Sequence, residues 1–279
     1  MDLAMGVTLV RRDEKLLIEA AKKHGTPLEP VNIRDMAFRI GDEGPNYDAF
    51  LGRVLSHSHA LYIHTILESM GVPTLNSSGV VRMCGDKALT LLELQRRGVP
   101  VPRTTVAFEP GAALKEMERM GYPVVLKPVV GSWGRLLAKV NDRESAEALL
   151  EHKSVLGGTQ HSVFLIQEYI EKGGRDIRAF VVGDETVGAI LRTSDHWITN
   201  TARGASVSPC PVTSELDQLC LETAEALGGG MIAVDLFETD DGLLVNEANH
   251  NMEFGNSIVP SGADIPGKVI EHLVGIARS

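Results

Sequence analysis

The segment from Ala233 to Asn249, AVDLFETDDGLLVNEAN, constrains this chain most. It holds two runs of strand-forming residues around Asp240, Asp241 and Gly242. A three-residue loop there, with Gly242 left-handed, makes a tight hairpin. Folding the segment about Asp241 sets Asp235 opposite Glu247. Side chains alternate along a strand, so Glu247 and Asn249 share a face. Two carboxylates then meet among the apolar neighbours Val234, Leu236 and Val245. Such a pair repels itself unless a cation intervenes. All-oxygen ligands on rigid strands suit Mg²⁺, whose remaining positions go to phosphates and water. A solvated polar hairpin explains the segment equally well in isolation, so the weight falls on the rest of the chain.

With 279 residues, 43% of them hydrophobic, the chain can build two or three lobes. No apolar run is long enough to span a membrane. Arg11, Arg12, Asp13 and Glu14 follow too short an apolar start for a secretory signal. Cys84, Cys210 and Cys220 are odd in number and lack metal spacing, which points to reduced thiols and a cytoplasmic protein. A net charge of −10 argues against broad nucleic-acid binding and demands a locally basic patch for any acidic partner.

The hydrophobic pattern reads as α/β throughout. Over residues 1–82, strands at Met5–Val10, around Val31, near Asp48–Arg53 and at Val72–Asn76 alternate with helices Arg12–His24 and Ser56–Met70. That is a small open parallel sheet with covering helices. Residues 83–178 open with helix Lys87–Arg97. Strands Pro123–Lys127, Leu137–Val140 and Val163–Tyr169 follow, with a helix over Arg143–His152. Residues 179–279 hold strands Ala179–Val182 and Thr186–Arg192, helix Ser214–Leu227, the hairpin and a last helix Pro266–Ala277.

Lys127 ends an otherwise apolar strand, where a buried ammonium needs a counter-charge. The following turn, GSWGR at 131–135, has glycines that let backbone N–H groups aim at an anion. The combination reads as a phosphate cradle without a Walker sequence; an ordinary hairpin also accommodates it. Glu168 and Ile170, at the end of the next strand, offer main-chain groups to an adenine edge, and Asp176 is placed for a ribose or a cation. A strand-to-loop crossing with solvated charges is the alternative. Arg192 ends a strand, and Arg203 lies in a polar turn starting at Asn200. Guanidinium groups bind carboxylate or acyl-phosphate oxygens bidentately, although a single arginine serves surface ion pairs as readily. His57, His59, His64, His152 and His161 fit no ligand pattern, and Arg53 is within reach of a cleft.

In order along the chain stand GDK (85–87), VVLKP (124–128), GSWGR (131–135), QEYI (167–170), GRDIR (174–178), NxxRG (200–204), Asp235 and NExN (246–249). From about Gly71 onward this set resembles the ATP-grasp carboxylate–amine ligases of the RimK type. GSWGRL, HWITNTAR (196–203) and NHNMEF (249–254) are most similar to the LysX/ArgX branch. The resemblance implies an ATP-grasp fold of three lobes, with ATP between the central and C-terminal ones. Lys87 and Lys127 would contact phosphates beneath a loop of Gly131, Ser132, Trp133, Gly134 and Arg135. Gln167, Glu168, Tyr169 and Ile170 would hold adenine, with Asp176 and Asn200 beside the nucleotide. Asp235, Glu247 and Asn249 would hold Mg²⁺. Lys127, Arg192 and Arg203 would serve the chemistry. Arg192, Arg203, Asn249, His250, Asn251, Met252, Glu253 and Phe254 would face the amino-acid acceptor, with the loop 256–266 lining its pocket.

The resemblance also implies a partner: a small, acidic, LysW-like carrier protein ending in glutamate. That glutamate's side chain would form an acyl phosphate, displaced by the α-amino group of 2-aminoadipate. Glutamate as acceptor differs by one methylene, worth about 1–3 kcal/mol of discrimination. RimK-like glutamylation of a protein tail is a further variant. A nucleotide-binding scaffold is the non-enzyme alternative, opposed by the intact set Asp235, Glu247 and Asn249. Phosphoryl transfer rests on positioning and charge neutralisation, so no cysteine or serine is assigned a catalytic role. By analogy the chain is expected to form dimers or tetramers.

Overall fold

The computed structural model describes residues 1–131, 135–157 and 162–279; Ser132, Trp133, Gly134 and His161 lie outside the described residues. Its first sheet is parallel, in the order β2-β1-β3-β4: β1 (Leu3–Val7), β2 (Leu28–Asn32), β3 (Ala49–Gly52) and β4 (Thr74–Leu75). Parallel neighbours require crossovers, and α1 (Arg12–His24) and α2 (His57–Ser69) supply two of them. The amphipathic pattern gives α4 (Lys87–Arg96) but passes over α3 (Ser78–Gly85). Side-chain caps start both: Ser77 accepts from Val80 N–H, and Asp86 from Ala88 and Leu89 N–H.

The second sheet is antiparallel, in the order β5-β8-β6-β7: β5 (Thr104–Ala107), β6 (Val124–Lys127), β7 (Ala138–Val140) and β8 (Phe164–Glu168). Helices α5 (Pro110–Met120) and α6 (Arg143–Leu156) back it. Strand β5 escapes the sequence reading because it is an edge strand, buried only at Ala107. This sheet has its own core of Met117, Val124, Leu126, Leu150 and Phe164.

The third sheet runs β11-β10-β9-β12-β13, all antiparallel: β9 (Arg175–Val182), β10 (Glu185–Thr193), β11 (Ser206–Cys210), β12 (Met231–Thr239) and β13 (Gly242–Asn249). Strand β9 already begins at Arg175 and runs across residue 178. Helix α7 (Ser214–Leu227) covers one face. A short helix α8 (Ile258–Ser261) leads to α9 (Ile265–Ile276), which packs on the other face together with α1. Leu3, Met5 and Leu17 of the first lobe share one core with Phe180, Met231, Phe254 and Val269 of the last. The first and third lobes are therefore one packed body, against which the second stands with a separate core. No described helix is long and apolar enough to cross a membrane.

The hairpin reaches the expected register by a different route. Its loop has two residues, and Thr239 pairs with Gly242. A bulge then leaves Asn246 as the extra residue, which brings Asp235 opposite Glu247.

Candidate active site

Two cavities meet at this hairpin. The first, about 610 Å³, lies between the second and third sheets and is walled by Lys127, Gln167, Tyr169, Ile170, Trp197 and Phe237, among others. The second, about 990 Å³, is walled by His57, Gly131, Arg178, Asn249, His250 and Asn251, among others. Asn200, Asp235 and Glu247 border both.

The bulge aims Asn246 at the second lobe, where its Oδ1 accepts from Lys127 Nζ at 2.7 Å. Burial pushes the Lys127 pKa down to about 8, with Glu247 opposing the fall. Lys87 Nζ lies 3.0 Å from Glu247 Oε1 and donates to Gly131 O at 2.6 Å. One cation thus ties the start of the glycine-rich loop to the hairpin. Arg135, at the loop's far end, is exposed.

Asp235 is buried, and Arg178 donates to its two oxygens at 2.7 and 2.8 Å. Arg192 Nη2 lies 3.2 Å from Oδ1. Burial alone would raise the Asp235 pKa, but the two arginines overcome it and hold the carboxyl below the usual range. The opposed carboxylates are thus balanced by Arg178, Arg192 and Lys87, a compensation that the sequence argument for a metal did not consider. Among the described residues, no three or more His, Cys, Asp or Glu side chains gather as a metal cluster. Asp235, Glu247 and Asn249 remain two carboxylates and an amide on one strand face, and Asn249 Nδ2 is buried without a partner.

Several expected site residues have other duties. Asp176 borders the first cavity, yet its carboxylate is engaged by Arg192 Nε at 2.7 Å, Lys172 Nζ at 3.1 Å and the Thr199 hydroxyl. It is an anchor for those side chains. Arg192 borders the first cavity rather than the second, with Nη1 buried and unpartnered, so it stands apart from His250, Asn251 and Glu253, with which it was expected to share a substrate. Arg203 is exposed and walls neither cavity. Glu168 gives its carboxylate to Arg103 Nε at 3.0 Å, and Gln167 bonds Thr104. Tyr169 meets Trp197 edge-on, their rings 6.4 Å apart, with Lys139 Nζ over its ring.

The stretch after β13 divides. His250, Asn251 and Glu253 border the second cavity, whereas Met252 and Phe254 are completely buried in the joint core. With Met252 and Phe254 in the core, all five cannot face one substrate. Arg53 does not reach the cleft; it supports this stretch from beneath. Its Nε bonds Glu14 at 3.0 Å, and its Nη1 donates to Met252 O at 2.8 Å. Asp13 accepts from the N–H groups of Phe254 and Gly255. Of the loop 256–266, Asn256 and Ser257 line a third cavity, and none lines the second.

Sequence reasoning missed Arg178, Lys172 and His57. For Arg178 a signal existed: it sits two residues from Asp176 on a buried strand, and paired charges on one face of such a strand call for partners. Lys172 donates to Asp176 and Thr199, and burial lowers its pKa. His57 stands 6.1 Å from His250 ring to ring, in space that Gly85 leaves open: a Cβ there would come 1.8 Å from His57 Cε1. Burial lowers both histidine pKa values, that of His250 to about 3. His64 is a core residue whose Nδ1 faces Asn76 O. Cys84 borders the second cavity, but burial pushes its thiol up to about 12, so it is no nucleophile.

Residues 84–273 match the RimK-like ATP-grasp domain, and residues 3–83 match the LysX preATP-grasp domain. The chain belongs to the RimK-like ATP-grasp family. The glutamate–LysW ligase ArgX of Sulfolobus acidocaldarius is 33% identical to this RimK-like chain over 276 residues, 98% of each. The alpha-aminoadipate–LysW ligase LysX of Saccharolobus solfataricus is 36% identical over 252 residues, 89% of this chain and 92% of that one. The crystal structure of a RimK domain ATP-grasp protein from Sphaerobacter thermophilus has a TM-score of 0.84 at 28% identity, covering 99% of this chain and 100% of that one. This RimK-like protein is an ATP-grasp ligase and uses ATP.

Proposed function

We propose that this enzyme joins the α-amino group of 2-aminoadipate to the side-chain carboxylate of the C-terminal glutamate of a small, acidic, LysW-like carrier. The observation that carries this reading is the pair of cavities that touch at Asn200, Asp235 and Glu247. ATP in the first cavity, its adenine beside Gln167 to Ile170, directs its γ-phosphate toward the second. Lys127 and Lys87 are tied to Asn246, Glu247 and Gly131, and are placed to hold the phosphates.

The donor set suits Mg²⁺, two carboxylates and an amide on rigid antiparallel strands, with Asp235 shared between the ion and the guanidinium groups of Arg178 and Arg192. Bound to Asp235, Glu247 and Asn249, Mg²⁺ would neutralise charge on the triphosphate. The carrier carboxylate attacks the γ-phosphorus and ADP leaves, giving an acyl phosphate. The amine of the acceptor attacks that carbonyl, inorganic phosphate leaves, and the nitrogen loses a proton. Arg178 on the acceptor side and Arg192 on the nucleotide side both bind Asp235, so they flank the point of transfer and stabilise the charge developing there.

Glutamate is the second reading, because the ArgX relative covers this chain as fully as the LysX relatives do. Purified carrier incubated with ATP, Mg²⁺ and equal amounts of both amino acids, then weighed by mass spectrometry, separates the two. The added mass names the acceptor. An unchanged carrier mass overturns the proposal.

A further inference from the structure

We infer that the third cavity is a subsite for a substrate carboxylate that takes no part in bond formation, and that Arg12 recognises it. This inference rests on the ligase reading above. The cavity, about 900 Å³, lies between the start of α1 and the stretch after β13. It shares Arg178 and Glu253 with the second cavity, so it continues the acceptor side of the site away from Asp235.

Its charge balance is unusual for this protein. Arg11, Arg12 and Arg178 face Asp13 and Glu253, three cations against two anions, in a chain of net charge −10. Four of those five groups are matched inside the protein. Arg11 bridges Glu14 at 3.0 Å and Glu253 at 2.8 Å. Arg178 is held by Asp235. Asp13 lies 3.5 Å from Arg53 and accepts two backbone N–H bonds. Arg12 differs: its Nη1 donates to the neutral Asn256 Oδ1 at 2.9 Å.

The Arg12 head is nevertheless positioned. Its stem lies along Gly255, where an added Cβ would come 3.3 Å from Cδ and 3.5 Å from Cγ. The exposed guanidinium thus stands in a wall that also carries the hydroxyl residues Ser257 and Thr201. A planar cation with hydroxyls beside it is a carboxylate site. Both substrates bring a carboxylate that the reaction leaves untouched. The acidic amino acid has its α-carboxylate and its distal one, and the carrier's last residue has its main-chain one. A group without negative charge would gain nothing from this cavity.

The test is steady-state kinetics of Arg12→Ala and Arg12→Lys, varying amino acid, carrier and ATP in turn. In Arg12→Ala, KM should rise about tenfold or more for one carboxylate substrate, with ATP KM held, as expected for one charge-assisted contact. Arg12→Lys should recover part of the loss. A rise for the amino acid assigns the cavity to an acceptor carboxylate; a rise for the carrier assigns it to the carrier terminus. Unchanged KM values for both, or an equal rise for ATP, overturn the inference. Wild-type enzyme that fails to ligate overturns the ligase reading itself and the subsite with it, an outcome distinct from a wild type that ligates and an Arg12→Ala variant that matches it.

Discussion

Replacing Arg53 by methionine should destabilise the protein by about 3–5 kcal/mol and weaken the acceptor side of the site selectively. The Arg53 and Glu14 side chains are both fully buried, and their ion pair spans 3.0 Å. Removing one partner of such a pair costs about 3–5 kcal/mol, because the other charge stays buried. Arg11 softens the loss, since it keeps bonds of 3.0 and 3.2 Å to Glu14. Met252 O loses its donor, which adds about 1–3 kcal/mol in a dry environment. Methionine roughly preserves volume against the Phe254 ring, so little cavity cost is added. At about 2–4 °C per kcal/mol for a chain of this size, a thermal melt should show Tm lower by roughly 10 °C. Met252 sits between Asn251 and Glu253, which wall the second cavity, so KM for the amino acid should rise while KM for ATP holds. Adding Glu14→Gln removes the stranded charge and should restore part of the Tm. A Tm unchanged from wild type in Arg53→Met would refute the reasoning, because a buried charge would have lost its partner at no cost.

Other outcomes follow from the hairpin and its lysines. Glu247→Gln should keep the fold, as judged by its melt, and lose most ligation; near-normal turnover at saturating Mg²⁺ would remove the metal assignment. With Lys127 held near 8 by burial, the free enzyme loses that positive charge above about pH 8, so the KM for ATP should climb between about pH 7 and 9. Unfolded Lys127 keeps its proton up to the ordinary lysine value of 10.5, so this group makes stability rise with pH between about 8 and 10.5. A flat ATP profile over that range argues against a phosphate role for Lys127. Finally, the KM for an acidic carrier should rise with added salt, since a basic patch on a chain of net charge −10 works only at short range. Salt-independent carrier kinetics would contradict that docking.

Periodic elements were readable because their cause is local, whereas the hairpin reaches the expected register through a two-residue loop and a bulge at Asn246. The helices Arg12–His24 and Ser214–Leu227 stand where amphipathic spacing and their end signals put them. Edge strand β5 was not readable, since its residues are mostly half-exposed and show no alternation. Position in a motif picked out many residues that border the two cavities, but also Arg203, Met252 and Phe254, which border neither. Asp176 reads as a ligand, and its carboxylate holds Arg192 while it borders the first cavity; Met252 and Phe254 read as pocket walls and prove to be core. Arg53 reads as a cleft residue and proves to brace two lobes.

The amino-acid order by itself determined the three-lobed α/β plan, because alternation acts over a few residues; the facing of Asp235 with Glu247 needed in addition the bulge at Asn246. Tertiary structure alone decided how those carboxylates are balanced, since Arg178 is 57 residues from Asp235 in the chain and Lys87 comes from helix α4, far from the hairpin in sequence. It also decided which cavity each arginine faces. Electrostatic energy depends on distance in space and on burial, and the sequence fixes neither until distant strands have packed.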